Sequence, residues 1–147
     1  ISHRGNLNGP DRHNENKQSY IEFALNKGFD VEIDIRTHKD KLWLGHDEPQ
    51  ELLNFEKIDI SKTWFHAKDC SSLYKLSKYG NLNFFWHQND DYTITSRGIF
   101  WNFPGKELTL NSINVLPSIN NLSQADFNCL GICSDYIIMV KEKYKID

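Results

Sequence analysis

Apolar and charged residues alternate in the stretch VEIDIR at positions 31–36. Successive side chains of a strand point to opposite faces, so the three apolar residues share one face and Glu32, Asp34 and Arg36 share the other. The pattern fits an antiparallel strand whose polar face meets water. It also fits a parallel barrel strand, in which two inward carboxylates would need a cation between them. The alternation alone leaves both arrangements open.

The same analysis along the chain predicts strands that alternate with a few helices. Helical spacing indicates helices over 17–27 and 70–79, ended by Gly28 and Gly80, with Ser71 or Ser72 near the second N-terminus. Hairpins are predicted over 37–47, with the turn at KDK, and over 89–98. Further strands are predicted over 63–69, 81–88, 99–105, 112–117 and 129–134. The tail 135–145 fits either a helix or a strand.

Length and composition are those of an ordinary globular protein. The chain has 147 residues, 39% of them hydrophobic and 25% charged, which predicts a single domain over 1–147 with one substantial core. The net charge of −3 gives no reason to expect nucleic acid or an anionic membrane as a partner. The composition does not indicate an oligomeric state.

Cysteine use and hydropathy bear on the compartment of the protein and on membrane insertion. The three cysteines lack CxxC spacing, so neither a disulfide framework nor a zinc knuckle is indicated, and a reducing cytoplasm is the expected compartment. No stretch approaches the roughly 20 apolar residues of a membrane span, so stable membrane insertion is not expected.

Ionisable residues recur where the predicted strands end. In α/β sheets and barrels, functional groups gather at the carboxyl ends of parallel strands. Each residue taken singly has an ordinary structural explanation, but their shared placement predicts one functional site. The residues are His3, Arg4, Glu32, Asp34, His46, Asp47, His66, Lys68 and His87.

An ordered set of short motifs resembles a known enzyme family. Residues 1–47 contain ISHRG, then EN, then GFDVEIDIR, then DKLWLGHD, in that order. This order resembles the glycerophosphodiester phosphodiesterase family, within the phospholipase-C-like TIM-barrel phosphodiesterases. Later in the chain, HAKD and GICSDY continue the resemblance more weakly. The family barrel has roughly 250 residues, so the resemblance implies an α/β fold with a compact or trimmed TIM-type barrel and reduced helices.

The resemblance also implies a role for each matching residue. Glu32 and Asp34 would hold a divalent metal ion, most simply Mg²⁺ or Ca²⁺, which prefer oxygen ligands. His3 and His46 would form the general acid–base pair. The remaining matches are Arg4 and Lys68, which would bind the phosphodiester, and Glu15. Glu15 would line the site or help to hold the metal, and it would organise the loop by hydrogen bonding or through a metal-bound water.

His66 departs from the family pattern, which usually has a carboxylate at this position of the third strand. Either His66 is the third metal ligand or a water takes that place. An imidazole ligand would favour Mn²⁺, Zn²⁺ or Fe²⁺ over Ca²⁺.

Together these features predict metal-dependent hydrolysis of a small, glycerophosphodiester-like phosphodiester. The attacking group would be a neighbouring substrate hydroxyl, giving a cyclic phosphate, or a metal-activated water. The alternative is a non-catalytic pseudoenzyme of the same fold that binds a phosphate or sugar phosphate. An unrelated structural protein would require the ordered motifs to be accidental.

Overall fold

A computed structural model describes residues 1–144 of the chain. The strands within these residues are β1 (Ser2–His3), β2 (Val31–His38), β3 (Lys41–Leu44), β4 (Glu51–Leu52), β5 (Thr63–Ala67), β6 (Asn83–Trp86), β7 (Tyr92–Ile94), β8 (Phe100–Asn102), β9 (Ser112–Val115) and β10 (Gly131–Cys133). The α-helices are α1 (Gln18–Asn26), α2 (Cys70–Leu76) and α3 (Ile137–Tyr144). Short 3₁₀ helices lie at Phe55–Lys57, Ile119–Asn121 and Gln124–Phe127. The predicted tail 135–145 is therefore a turn followed by helix α3, and Lys145 lies outside the described residues.

The strands form two sheets of mixed direction. The first has the order β4-β3-β2-β5-β6, with β1 paired in parallel to the start of β2. The second has the order β10-β9-β8-β7. Strand β1 also connects the sheets, because the main chain of Ser134, just after β10, bonds to Ile1 and His3 at 3.1 and 3.2 Å. The amino end of the chain thus lies between the two sheets.

The predicted trimmed TIM-type barrel is wrong, because the described strands do not close into a barrel. Strand β8 pairs with β9 on one side and antiparallel with β7 on the other, so it has no free edge for β6. Strand β6 instead meets the neighbouring segment through Phe84 and Ser96, whose main-chain hydrogen bond is 2.8 Å long. The short links of the second half carry a hairpin and 3₁₀ turns where a barrel would have crossover helices.

The two predicted helices are present and slightly shorter than expected. Helix α1 ends before Gly28, whose φ of +87° suits glycine at this position. Helix α2 is capped by Asp69, which forms a capping box with Ser72, so the expected cap at Ser71 or Ser72 was misplaced by two or three residues. None of the helices in the described residues is long and apolar enough to cross a lipid bilayer.

Strand β2 has one apolar face and one charged face, as its alternation predicts. Its apolar face is fully buried in a core with α1 and α2, represented by Ile33, Ile21 and Leu76. Glu32 and Asp34 point the other way and are also buried, at 1% and 0% exposure. The charged face of β2 is thus an interior surface, which places two carboxylates inside the protein.

Tight turns position the polar side chains at the end of β2. The β2–β3 hairpin turns through Lys39 and Asp40, both with positive φ, as a two-residue turn of this kind requires. Gly45 follows β3 with φ +141°, and a Cβ there would lie 2.0 Å from the Glu48 carbonyl oxygen. Only glycine fits at position 45, and this fixes the path of the loop that carries His46.

We predict that Asp69→Ala lowers the free energy of unfolding by about 0.5–2 kcal/mol, the usual value of an N-cap. The effect should lie at the upper end, because Asp69 also accepts a 2.9 Å hydrogen bond from the Thr37 main chain. Urea unfolding measures the change. Ser71→Ala is the matched control, since Ser71 is exposed in the first turn and should tolerate the change. Equal stability of the two variants would contradict this account of the cap.

Candidate metal and phosphate site

Two carboxylates and one imidazole converge on the charged face of β2. Asp34 lies beside His66 in the parallel β2–β5 ladder, and Glu32 lies two pairs earlier, on the same face of β2. His66 Nδ1 is 3.2 Å from Glu32 Oε1 and 3.4 Å from Asp34 Oδ1. One ligand atom from each of the three residues lies within 4.8 Å of the others. The structure therefore brings the two predicted metal ligands together with the possible third.

Each of the two carboxylates keeps an oxygen without a hydrogen-bond partner. These atoms, Glu32 Oε2 and Asp34 Oδ1, are both shielded from solvent. A buried carboxylate oxygen without a donor is costly, so such atoms call for a cation. The 3.4 Å contact between His66 Nδ1 and Asp34 Oδ1 lacks hydrogen-bond geometry.

Positive groups surround Asp34. Arg4 Nε is 2.9 Å from Asp34 Oδ2 and Lys68 Nζ is 3.7 Å from Asp34 Oδ1. Burial acts to raise the pKa of Asp34, but Arg4, then His66 and Lys68, outweigh it and hold this pKa below its usual value. Asp34 is accordingly an ionised carboxylate inside the protein.

Asn16 holds Asp34 from two sides. Its side-chain amide donates to Asp34 Oδ2 at 2.9 Å, and its Oδ1 accepts from the Asp34 main-chain N–H at 2.9 Å. Asn16 has φ +60°, an uncommon conformation that asparagine tolerates better than most residues. This double contact turns Oδ2 of Asp34 towards the amide and leaves Oδ1 facing His66.

His3 is anchored by an aspartate from the far end of the chain. His3 Nδ1 lies 2.8 Å from Asp135 Oδ1, while its Nε2 lies 3.9 Å from Glu32 Oε2. Burial opposes the charged ring, but the hydrogen bond to Asp135 and the charge of Glu32 raise the pKa of His3 above its usual 6.5. His3 Nε2 is thereby turned towards the carboxylate cluster.

His46 has a similar arrangement in a more exposed loop. Its Nδ1 is 2.7 Å from Asp47 Oδ1, and its main-chain carbonyl accepts a 2.8 Å hydrogen bond from Arg36 Nε. Arg36, the third charged residue of the VEIDIR stretch, therefore supports the loop. Both histidines use Nδ1 for an aspartate, which leaves Nε2 as the nitrogen available for chemistry.

Glu15 connects the glycine turn after β1 to the loop before α1. It accepts hydrogen bonds from Arg4 Nη1 at 3.3 Å and from Asn6 Nδ2 at 2.9 Å. Asn6 also donates to Asp135 Oδ1 at 2.8 Å. Glu15 thus holds the Arg4 guanidinium and the Asn6 amide in place, and through Asn6 it reaches the His3–Asp135 pair.

An open cavity of about 490 Å³ joins these groups. The first sheet and its loops supply the charged lining, which is His3, Arg4, Glu32, His46, His66 and Lys68. The second sheet supplies an apolar lining that includes Trp101, Phe103 and Leu116. Larger and similar-sized cavities elsewhere lack this set of acids, bases and cations. Six of the predicted site residues therefore line one cavity. Asp34 is fully buried beside them, and Glu15 supports the lining through its contact with Arg4.

Three asparagine and aspartate residues have roles in the site that the sequence analysis did not assign. Asn16 and Asp135 belong to the EN and GICSDY motifs, so the resemblance marked their positions but not their contacts. Asn6 lies in a loop rich in turn-forming residues and carries no signal of its own.

Comparisons with known protein families, with curated proteins and with solved structures find no significant match to this chain. Functional inference therefore starts from the side chains around the cavity.

Asp135→Asn should lower the pKa of His3, because a neutral amide cannot favour the charged ring as Asp135 does. In the wild type, the raised pKa means that protonated His3 adds stability below about pH 6.5, which is lost as the pH rises through the folded-state pKa. The lowered pKa of Asp135 means that this gain is also lost in strong acid. NMR titration of the His3 ring measures the shift.

Glu142→Gln serves as the control for that experiment, since it removes one negative charge from an exposed position on α3. A His3 pKa that is the same in Asp135→Asn and in the wild type would show that Asp135 does not hold the ring.

Asn16→Gly should lower the free energy of unfolding by about 1–3 kcal/mol, because it leaves buried polar groups of Asp34 without partners. Glycine relieves the backbone strain at this position, so a loss of stability must come from the missing side chain. Lys39→Gly is the matched control: Lys39 also has a positive φ, of 46°, but it is exposed in the hairpin turn. That variant should be neutral or slightly stabilised. Equal free energies of unfolding for the two variants in urea would argue that the two hydrogen bonds between Asn16 and Asp34 do not stabilise the protein.

Proposed function

We propose that this protein is a metal-dependent phosphodiesterase that hydrolyses a small, glycerophosphodiester-like substrate. The observation that supports this most directly is the pair of buried carboxylates with unpartnered oxygens, of which Glu32 lines one cavity with two aspartate-anchored histidines. The ordered resemblance of residues 1–47 to the glycerophosphodiester phosphodiesterases points to the same chemistry.

The donor set fits a divalent metal ion. Glu32 and Asp34 each keep a buried, unpartnered oxygen, and one oxygen of each carboxylate is within reach of a common ion. Carboxylates alone favour Mg²⁺ or Ca²⁺, and Mn²⁺ or Zn²⁺ become alternatives if His66 contributes. When bound, such an ion would polarise a phosphoryl oxygen and offset the negative charge that develops on it.

Arg4 and Lys68 are the phosphate-binding groups of this proposal. Both line the cavity, and both are cationic groups beside Asp34. Lys68 Nζ is the freer of the two, because Arg4 already contacts Asp34 and Glu15. Lys68 is therefore assigned the direct contact with a phosphate oxygen. Arg4 offsets the negative charges of Asp34 and Glu15 beside it.

His3 and His46 are the proton-transfer groups. With Nδ1 of each held by an aspartate, Nε2 is the atom that accepts or donates a proton. One ring takes the proton from the attacking hydroxyl and the other gives a proton to the leaving alkoxide oxygen. A neighbouring substrate hydroxyl would yield a cyclic phosphate, and water would yield the open phosphomonoester directly.

His3→Ala and His46→Ala should each reduce turnover by about 10²–10⁴-fold, the usual contribution of a general acid or base. The assay uses a glycerol-linked phosphodiester with each divalent ion, and phosphorus NMR separates cyclic from open products. His13→Ala is the matched control, because His13 is exposed in a loop and does not line the cavity. Circular dichroism checks folding. Near-wild-type turnover in either variant would remove that histidine from the mechanism.

A non-catalytic phosphate-binding protein is the second candidate. It is favoured by the cations beside Asp34, since Arg4 and Lys68 could hold an anion without a metal. Tight binding of glycerol phosphate by a protein that shows no turnover with any divalent ion would favour this candidate over the enzyme.

A further inference from the structure

A main-chain carbonyl group on the side away from the carboxylates sets the orientation of the His66 ring. His66 Nε2 lies 2.8 Å from the carbonyl oxygen of His87. A carbonyl oxygen can only accept a hydrogen bond, so Nε2 must carry a proton and donate it. The ring also stacks on Phe85, with centroids 4.7 Å apart and planes 18° from parallel. Both contacts fix which edge of the imidazole faces the cavity.

Nδ1 is therefore the nitrogen presented to the carboxylates. In the neutral ring its lone pair points to Glu32 Oε1 at 3.2 Å and Asp34 Oδ1 at 3.4 Å. Three electron-rich atoms at these distances repel one another unless a positive centre lies among them. A proton on Nδ1 would bond only Glu32 Oε1, which has hydrogen-bond geometry, whereas a metal ion can contact both carboxylates. Both carboxylates of this cluster also keep a buried oxygen without a hydrogen-bond partner.

We propose that His66 Nδ1 is a metal ligand, and that the site selects a borderline transition-metal ion such as Mn²⁺, Co²⁺ or Zn²⁺ over Mg²⁺ and Ca²⁺. This inference rests on the metal site of the proposed function but not on turnover. A metal-bound histidine generally donates its other ring N–H to a carboxylate or main-chain carbonyl, and the His87 carbonyl occupies that position here. Imidazole nitrogen suits these ions, whereas Mg²⁺ and Ca²⁺ prefer oxygen.

The test is direct detection of nitrogen coordination. Pulsed EPR of the full chain loaded with Mn²⁺ should show hyperfine coupling to a histidine nitrogen. The coupling should vanish in His66→Asn and in His66→Glu, and it should persist in the control His13→Gln. Calorimetry should show Mn²⁺ affinity falling in His66→Asn by at least about 10- to 100-fold, the loss typical when only the hydrogen-bond partner of a metal ligand is removed. His66→Glu should shift preference towards Mg²⁺ and Ca²⁺.

Two results would overturn the inference. Mn²⁺ bound without nitrogen coupling in the wild type would mean that His66 is not a ligand. Failure of the wild type to bind Mn²⁺, Co²⁺ or Zn²⁺ would mean that His66 is only a counter-ion of the carboxylates. His66→Asn, which is smaller and uncharged, provides a variant to measure if His66→Glu does not fold.

The inference and the proposed function fail in different ways. Nitrogen coordination in a protein without turnover on any phosphodiester supports the metal assignment and argues against the enzyme. Turnover that survives complete removal of divalent ions contradicts the metal requirement of the enzyme, whatever EPR shows for His66.

Discussion

The burial of two carboxylates on one strand is the constraint on which the rest of the site depends. Glu32 and Asp34 are almost without solvent contact, and an uncompensated charge in such a place would cost far more than the protein's net stability. The compensating groups cannot come from β2 itself. They come from the turn after β1, from the loop before α1 and from β5, so these segments can take up their positions only together.

This dependence explains why strained backbone gathers at the same place. Arg4 and Asn16 have φ of +54° and +60°, although neither is glycine. Their main chains form consecutive hydrogen bonds. The Arg4 N–H donates to the Glu32 carbonyl oxygen at 2.9 Å, and the Asn16 N–H donates to the Arg4 carbonyl oxygen at 3.1 Å. Such conformations persist when the surrounding contacts over-determine them. Here those contacts are the ones that bring a guanidinium and an amide to Asp34.

The sequence predicted features that depend on neighbouring residues and missed features that depend on distant ones. The alternation at 31–36 and the spacing at 17–27 are local patterns, and β2 and α1 follow from them. Closure of a sheet depends on which edges remain free, and β8 loses its second edge to β7, a pairing that no local pattern excludes. The hydrogen bond between His3 and Asp135 joins residues 132 positions apart in the sequence. The GICSDY motif marked Asp135, but only the folded structure shows that His3 is its partner.

The balance of charge gives the site its chemical character. Four carboxylates, those of Glu15, Glu32, Asp34 and Asp135, belong to one connected network with two permanent cations, those of Arg4 and Lys68. Among the described residues, Asp34 contacts both of these cations, whereas the ion-pair contacts of Glu32 are with His3 and His66. Protons on the imidazoles or a divalent ion can supply the missing positive charge, and either one leaves the cationic side chains facing an open cavity. In the proposed enzyme, a site built in this way would attract a cation first and, once that cation is present, an anion such as a phosphodiester.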